Sequence, residues 1–257
     1  MRAVAVLIGV PAPAAFRFQE RDFAFHPLAG VQADIHSLHT IITGAATPHG
    51  SIDIVTLLSP AETTAGCIKR TLIDTLGKLD EGGLFLLGLF GHGFQVHDLS
   101  GDEVADRFED AFDEVFAASD GPILDDFFKS LWAEAPPGAR IVAIADTCSS
   151  DTISMAGAAD VLPVVVTGTA GPERLFLAAS MSHGAALEEA RAGATRGVLS
   201  RALEDTWVPS NPHSSYRAWF TEAALFVNMR SPQEPRLRYV GPTGSLLDDR
   251  PFQVQAE

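Results

Sequence analysis

The sequence predicts an α/β fold in which a mostly parallel central sheet carries helices on both faces. Three observations point there. Short continuous apolar runs recur along the chain, as expected of strands buried on both faces. Stretches with helical apolar periodicity stand between them. Turn signals such as Gly82-Gly83 and Pro136-Pro137-Gly138 separate the two kinds of segment. The chain has 257 residues, 46% hydrophobic and 20% charged, enough apolar material for a large core. No linker, repeat or low-complexity tract divides it, so a single domain over 1–257 is expected.

Arg2–Val10 reads as the first strand. Arg2, the apolar Val4–Val10 and Pro11-Ala12-Pro13 loosely imitate a signal peptide, but seven residues ending beside Gly9 suit a buried strand better. Leu28–Thr43 reads as a helix with Val31, Ile35, Leu38 and Ile42 on one face, and Ile52–Leu58 as a strand that Ser59-Pro60 ends. Thr64–Leu79 is amphipathic through Ile68, Leu72, Leu76 and Leu79. Leu84–Phe90 is a central strand. His97–Asp126 then holds eleven carboxylates against Arg107, two thirds of the net charge, and reads as an acidic loop. Asp125–Glu134 is a helix and Arg140–Ala145 a buried strand. Residues 149–173 are small, polar and Gly-rich, with one apolar run at Val161–Val166. Leu175–Ala179 is a strand, Gly184–Leu203 a helix, and the tail from Trp207 holds one helix near Tyr216–Asn228.

Composition excludes several classes of function. Eighteen Lys and Arg against 33 Asp and Glu give a net charge of −15, which repels phosphate backbones and anionic membrane surfaces. No apolar run approaches the roughly 20 residues of a spanning helix. Two cysteines, Cys67 and Cys148, cannot build a disulfide framework, and a cytoplasmic location is expected. His36 and His39 lie three apart on a helix without a third ligand at metal spacing, and nothing is placed to activate Cys67.

Two strand ends can carry chemistry. Leu84–Phe90 runs into Gly91-His92-Gly93, and Arg140–Ala145 runs into Asp146-Thr147-Cys148. Carboxyl ends of parallel strands open onto the ligand crevice of such sheets. An imidazole beside a thiol accepts its proton and makes a thiolate nucleophile. The Gly93 and Cys148 amides could converge on an oxyanion. Singly, Gly-His-Gly is also a tight turn and a cysteine also a small buried hydrophobe. Their joint position on successive strands is the signal. A phosphate-binding reading of Gly91–Gly93 would need a Gly-rich loop opening a helix, and an acidic stretch follows instead.

These motifs resemble the caspase-like cysteine peptidases, in particular metacaspases and the prokaryotic orthocaspases. Ala3–Gly9 resembles the family's opening strand, and Leu28-Ala29-Gly30-Val31-Gln32-Ala33-Asp34 its Leu-x-Gly-Cys-x-x-Asp element. Leu89-Phe90-Gly91-His92-Gly93 is similar to Tyr-Ser-Gly-His-Gly, and Asp98–Glu114 to the acidic stretch after it. Ile123-Leu124-Asp125-Asp126 is similar to Ile-Val-Asp-Asp, and Asp146-Thr147-Cys148-Ser149-Ser150 to Asp-x-Cys-His-Ser. Leu175–Leu203 resembles the small-subunit region. The likeness covers about residues 1–205.

The resemblance implies a caspase-like three-layer sandwich, with a large-subunit-like region over about 1–150, a linker at 151–173 and a small-subunit-like region with a C-terminal extension at 174–257. It implies a cysteine endopeptidase cutting protein or peptide substrates after Arg or Lys. His92 would be the general acid/base and Cys148 the nucleophile, with Asp34 and Asp146 as pocket carboxylates. It also implies a calcium site at Asp113, Asp125 and Asp126, whose fourth carboxylate would fall near Met155, with Asp151 out of register. A monomer is favoured. The family's pocket Ser is Phe90 here and its pocket Cys is Val31, which predicts a narrower or more apolar slot. The His after the nucleophile is Ser149, and a Gly after that is Asp151. These departures support the alternative of a catalytically weak or inert caspase-like regulatory module. Finally, Ile141–Glu173 holds no Lys or Arg, so self-processing there is not expected, with Arg174 the nearest candidate.

Overall fold

A computed structural model of the chain describes residues 2–45, 51–98, 112–148, 164–180, 184–191, 193–208 and 215–254. In chain order the elements are β1 (Ala3–Val10), β2 (Phe16–Phe18), β3 (Arg21–Phe23), α1 (Val31–Gly44), β4 (Ile52–Leu57), α2 (Ala65–Leu76) and β5 (Leu84–Gly91). Then come β6 (Gly93–His97), β7 (Phe112–Ala118), β8 (Gly121–Leu124), α3 (Asp125–Ala133), β9 (Arg140–Asp146), β10 (Val164–Val166) and β11 (Glu173–Ala178). The last are β12 (Glu188–Arg191), β13 (Ala194–Gly197), α4 (Val198–Thr206), α5 (Tyr216–Arg230), β14 (Arg236–Val240) and α6 (Ser245–Asp248).

The central sheet has the order β10-β14-β11-β9-β5-β1-β4. Its five strands from β11 to β4 are parallel, and β14 pairs antiparallel with β11 and parallel with β10. The apolar N-terminal run is thus a strand, held between β5 and β4. Successive side chains of a strand point to opposite faces, so each continuous run feeds two cores. Leu84, Leu86 and Phe90 enter one core and Phe85, Leu87 and Leu89 the other. Helices cover both faces. Val31, Ile35, Leu38 and Ile42 of α1 join α4 and α5 on the first, while Ile68, Leu72 and Leu76 of α2 join Phe128 and Trp132 of α3 on the second. Each such buried side chain contributes about 1.5–3 kcal/mol.

Three segments differ from their sequence reading. The acidic stretch holds β7 and β8, which form an antiparallel ribbon with β6. Charge density suggested a solvated loop, yet Asp113 and Glu114 are buried within β7 among Val115, Phe116 and Ala117. Gly184–Leu203 is helical only from Val198. Glu188–Gly197 is a hairpin whose turn includes Gly193 at φ +81°, a left-handed conformation that interrupts any helix there. The tail supplies β14, in which Arg236 and Arg238 are buried although their alternation reads as polar. Of the apolar run Val161–Val166, residues 161–163 lie outside the described residues.

Candidate active site

The register of the sheet sets the height of the site. Phe90 of β5 lies opposite Asp146 of β9, and two residues further along each chain stand His92 and Cys148. Both line one cavity of about 70 Å³ together with Asp34, Asp146, Gly91, Val31 and Gly197. The glycines flanking His92 serve close packing. Gly91 has φ +155°, and a side chain there would press on the Val10 carbonyl at 3.0 Å. A side chain at Gly93 would overlap the Cys148 carbonyl. The side-chain positions on either side of His92 are therefore filled by neighbouring backbone, which only glycine allows. The Ala117 amide donates to the His92 carbonyl at 3.0 Å. In the alternating antiparallel ladder the Gly93 amide then points away from β7.

His92 is nearly buried. Its Nε2 donates to the His26 carbonyl at 2.8 Å, since a carbonyl can only accept. Nδ1 is left with the lone pair. Phe25 tilts against the imidazole and His26 meets it edge-on, each with ring centres 5.0 Å away. Cys148 is half-buried, and its Sγ accepts from the Ala186 amide at 3.3 Å and reaches the Ala186 carbonyl at 3.6 Å. Burial lowers the His92 pKa against the raising effect of the His26 carbonyl, and burial raises the Cys148 thiol. Both shifts favour neutral imidazole beside neutral thiol in the resting protein.

The carboxylates are tied to helix starts. Asp146 accepts from the Ser200 amide at 2.8 Å and its hydroxyl at 2.6 Å, so a side chain from β9 caps α4. Both Asp34 oxygens accept from the Gly197 amide at 3.1 Å. A third carboxylate, Glu188 of β12, lines the same cavity and accepts from the Gly30 amide at 2.6 Å and the Ala29 amide at 3.2 Å, at the start of α1. Burial, with Asp146 and Glu188 nearby, pushes Asp34 up to about 8, against the Gly197 amide and Arg196. Burial raises Asp146 to about 6, against its bonds to Ser200.

The structure thus brings together His92, Cys148, Asp34 and Asp146, and adds His26, Ala186 and Glu188, which sequence reasoning missed. Glu188 lay inside an assumed helix and gave no signal. The segment holding His26 did give one, because Phe16, Phe18, Phe23 and Phe25 alternate about a short polar turn as hairpin strands do. Val31 lines the cavity, as its motif position suggested. Phe90 is not among the residues that line it. Its ring packs below, around a small void shared with Asp34, Leu38, Ile41 and Ser200. Ser149, Asp151 and Met155 lie outside the described residues.

The three residues of the implied calcium site lie on β7 and at the start of α3. Asp113 sits in β7 opposite Val96, Asp125 begins α3 buried, and the Asp126 amide donates to Asp125 Oδ1 at 3.2 Å. Among the described residues no three His, Cys, Asp or Glu side chains are grouped to hold a metal ion, which includes these three and the pair His36 and His39. Gly91–Gly93 leads into β6 rather than a helix, which removes the phosphate-cradle geometry. No helix among the described residues is long and apolar enough to cross a membrane.

No protein-family model matches the chain. Curated relatives do. The chain is 29% identical over 127 residues to Metacaspase-7 of Arabidopsis thaliana, covering 48% of the chain and 30% of that protein. It is 41% identical over 64 residues to Metacaspase-1 of Candida glabrata, covering 24% and 16%. It is 31% identical over 93 residues to Metacaspase-4 of Arabidopsis thaliana, covering 36% and 21%. The matched segments therefore span less than a third of each relative's length. Among solved structures, protein GSU0716 from Geobacter sulfurreducens superposes with a TM-score of 0.73 at 19% identity over the whole of both chains. Caspase-1 from Spodoptera frugiperda superposes with a TM-score of 0.55 at 11% identity, covering 97% of this chain and 88% of that one. The chain is a caspase-like protein in fold, and its sequence is similar to the metacaspases.

Proposed function

We propose that the chain is a cysteine endopeptidase that hydrolyses peptide bonds after Arg or Lys through Cys148 and His92. The observation that carries this reading is the shared cavity, in which a thiol, an imidazole and three carboxylates face one small space. A guanidinium or ammonium group entering it meets Asp34, Asp146 and Glu188, whereas an acidic side chain would be repelled.

The chemistry follows from the neutral resting pair. The thiol leaves its contacts with Ala186 and passes its proton to His92 Nδ1 as Sγ attacks the substrate carbonyl. The oxyanion takes hydrogen bonds from the Gly93 and Cys148 amides. Collapse of the tetrahedral adduct breaks the C–N bond, and the imidazolium returns its proton to the leaving amine. Water, deprotonated by His92, then hydrolyses the thioester and restores the thiol.

The test is hydrolysis of two fluorogenic peptides, one ending in Arg and one in Asp, by the wild type and by Cys148→Ala, with calcium and with chelator. Cleavage after Arg alone, lost in the variant, is the expected result. Cleavage after Asp, or none under any condition, would reject the reading. Loss of activity in chelator would show that ligands beyond Asp113, Asp125 and Asp126 complete an ion site.

A further inference from the structure

We infer that Phe16, Phe23, Phe25 and Phe94 form a subsite for a large apolar side chain just after the scissile bond. The substrate would then carry a basic residue before the cut and an apolar or aromatic residue after it. This inference rests on the peptidase reading and adds a second determinant of specificity on the other side of the bond.

The four rings form one continuous cluster. Phe23 and Phe94 have ring centres 4.3 Å apart, and Phe16 lies 5.6 Å from Phe23, 5.6 Å from Phe25 and 6.0 Å from Phe94. Phe25 extends the cluster to the His92 imidazole at 5.0 Å. All four are only half-buried, whereas Phe85, Phe90, Phe116 and Phe128 in the cores are at most 2% exposed. The cluster therefore keeps part of its apolar surface at the face of the protein, next to the imidazole. Clustered apolar surface left open to solvent marks a binding surface more often than a packing one.

The cluster is held in place before any ligand arrives. Phe16 and Phe23 sit on the β2–β3 hairpin, whose turn residues Gln19 and Glu20 have φ of 44° and 62°, Phe25 follows β3, and Phe94 belongs to β6. The Gln19 side-chain amide donates to the His97 carbonyl at 2.8 Å and accepts from the His97 amide at 3.1 Å, which pins the hairpin to the end of β6. The Leu28 amide donates to the Pro11 carbonyl at 2.8 Å and closes the base of the segment. A rigid apolar surface loses little entropy on binding.

Reaction geometry decides what this surface meets. The leaving amine must come within hydrogen-bond reach of the imidazole to take its proton, so the residue it belongs to passes over His92. The basic side chain goes the other way, toward the carboxylates at the starts of α1 and α4. His92 lines the acidic cavity and touches the aromatic cluster, while none of the four phenylalanines lines that cavity. The residue released with the new amino terminus therefore lies against Phe25 first and against Phe94 and Phe16 beyond it.

The experiment uses two internally quenched peptides, identical up to and including Arg, with Phe-Gly after it in one and Gly-Gly in the other. The wild type is expected to cleave the Arg-Phe peptide with kcat/KM about tenfold or more above the Arg-Gly peptide, the discrimination a buried aromatic side chain supplies. Phe94→Ala and Phe23→Ala are expected to bring that ratio toward one. Equal wild-type rates on the two peptides overturn the subsite while leaving the Arg-specific peptidase intact. A fall in both rates with an unchanged ratio also overturns it, because that is what loss of packing beside His92 would do. If neither peptide is cut, the peptidase reading fails and takes the subsite with it. Should both variants fail to fold, the wild-type ratio decides alone.

Discussion

The His26 carbonyl accepts a 2.8 Å hydrogen bond from His92 Nε2, joining the segment between β3 and α1 to the end of β5 across 66 residues. The bond selects one tautomer and leaves Nδ1 as the basic nitrogen. Burial keeps this imidazole and the Cys148 thiol neutral at rest. Alkylation of Cys148 by iodoacetamide should accordingly be slow at pH 6–7 and still rising past pH 9. A rate already level at pH 7 would mean a preformed thiolate.

Removal of the imidazole should cost far more than removal of a packing residue. His92→Ala is expected to lower kcat/KM on an Arg peptide by roughly 10²–10⁴, with the thermal midpoint little changed. A loss below about threefold would assign the proton transfers to another group.

Cation binding in the acidic cavity should be coupled to proton release. Burial pushes Asp34 up to about 8, so the carboxyl is mostly protonated at pH 6–7, and a guanidinium must displace that proton. Inhibition by a small guanidine should strengthen from pH 6 to pH 8, by up to about tenfold per unit, and then level off. Asp34→Asn should flatten the profile. A flat wild-type profile would place the cation elsewhere.

The same group sets a sign for stability. Folded Asp34 titrates near 8 and an ordinary aspartate near 3.8, so the folded state holds the extra proton. Its contribution is complete at low pH and is lost as pH rises between those values, by up to about 1.4 kcal/mol per unit. In urea unfolding, Asp34→Asn should match the wild type near pH 4 and exceed it at pH 9. The opposite order would contradict the burial that raises this carboxyl.

Glu188 has a structural task as well as a place in the cavity. Its carboxylate meets the Gly30 and Ala29 amides, and Gly30 offers α1 no side-chain cap of its own. Glu188→Ala should cost about 1–2 kcal/mol of stability and also lower kcat/KM on Arg peptides. An unchanged urea midpoint would show that solvent replaces these bonds at no cost.

Self-cleavage at Arg174 should not occur. The residue sits inside β11, paired with Ile141 of β9 on one side and Val240 of β14 on the other. A protease needs an extended segment free of such ladders. Prolonged incubation of active protein should leave the bond after Arg174 uncut, as checked by intact-mass analysis, and a fragment ending there would imply prior opening of the sheet.

Local physics made much of this legible. Leu84–Phe90 and Arg140–Ala145 announce strands because unbroken apolar runs of that length suit little else, and parallel pairing at equal height then puts His92 beside Cys148. The α1 face of Val31, Ile35, Leu38 and Ile42 follows from period alone. Asp34 and Asp146 were legible by resemblance, through the motifs that contain them.

Other parts depended on partners far along the chain. Residues 188–197 have no strand pattern of their own, and they form a hairpin beside α1, where Glu188 caps the start of the helix. Arg236–Val240 enters the sheet through pairing with β10 and β11, against the polarity of its arginines. The sequence by itself determined the sheet's central strands and placed an imidazole and a thiol just past their ends, because run length and periodicity act within a few residues. Only the tertiary structure decided which carboxylates share the cavity, which carbonyl orients His92 and which rings lie beside it, because each of those contacts spans dozens of residues and exists only after the chain has closed on itself.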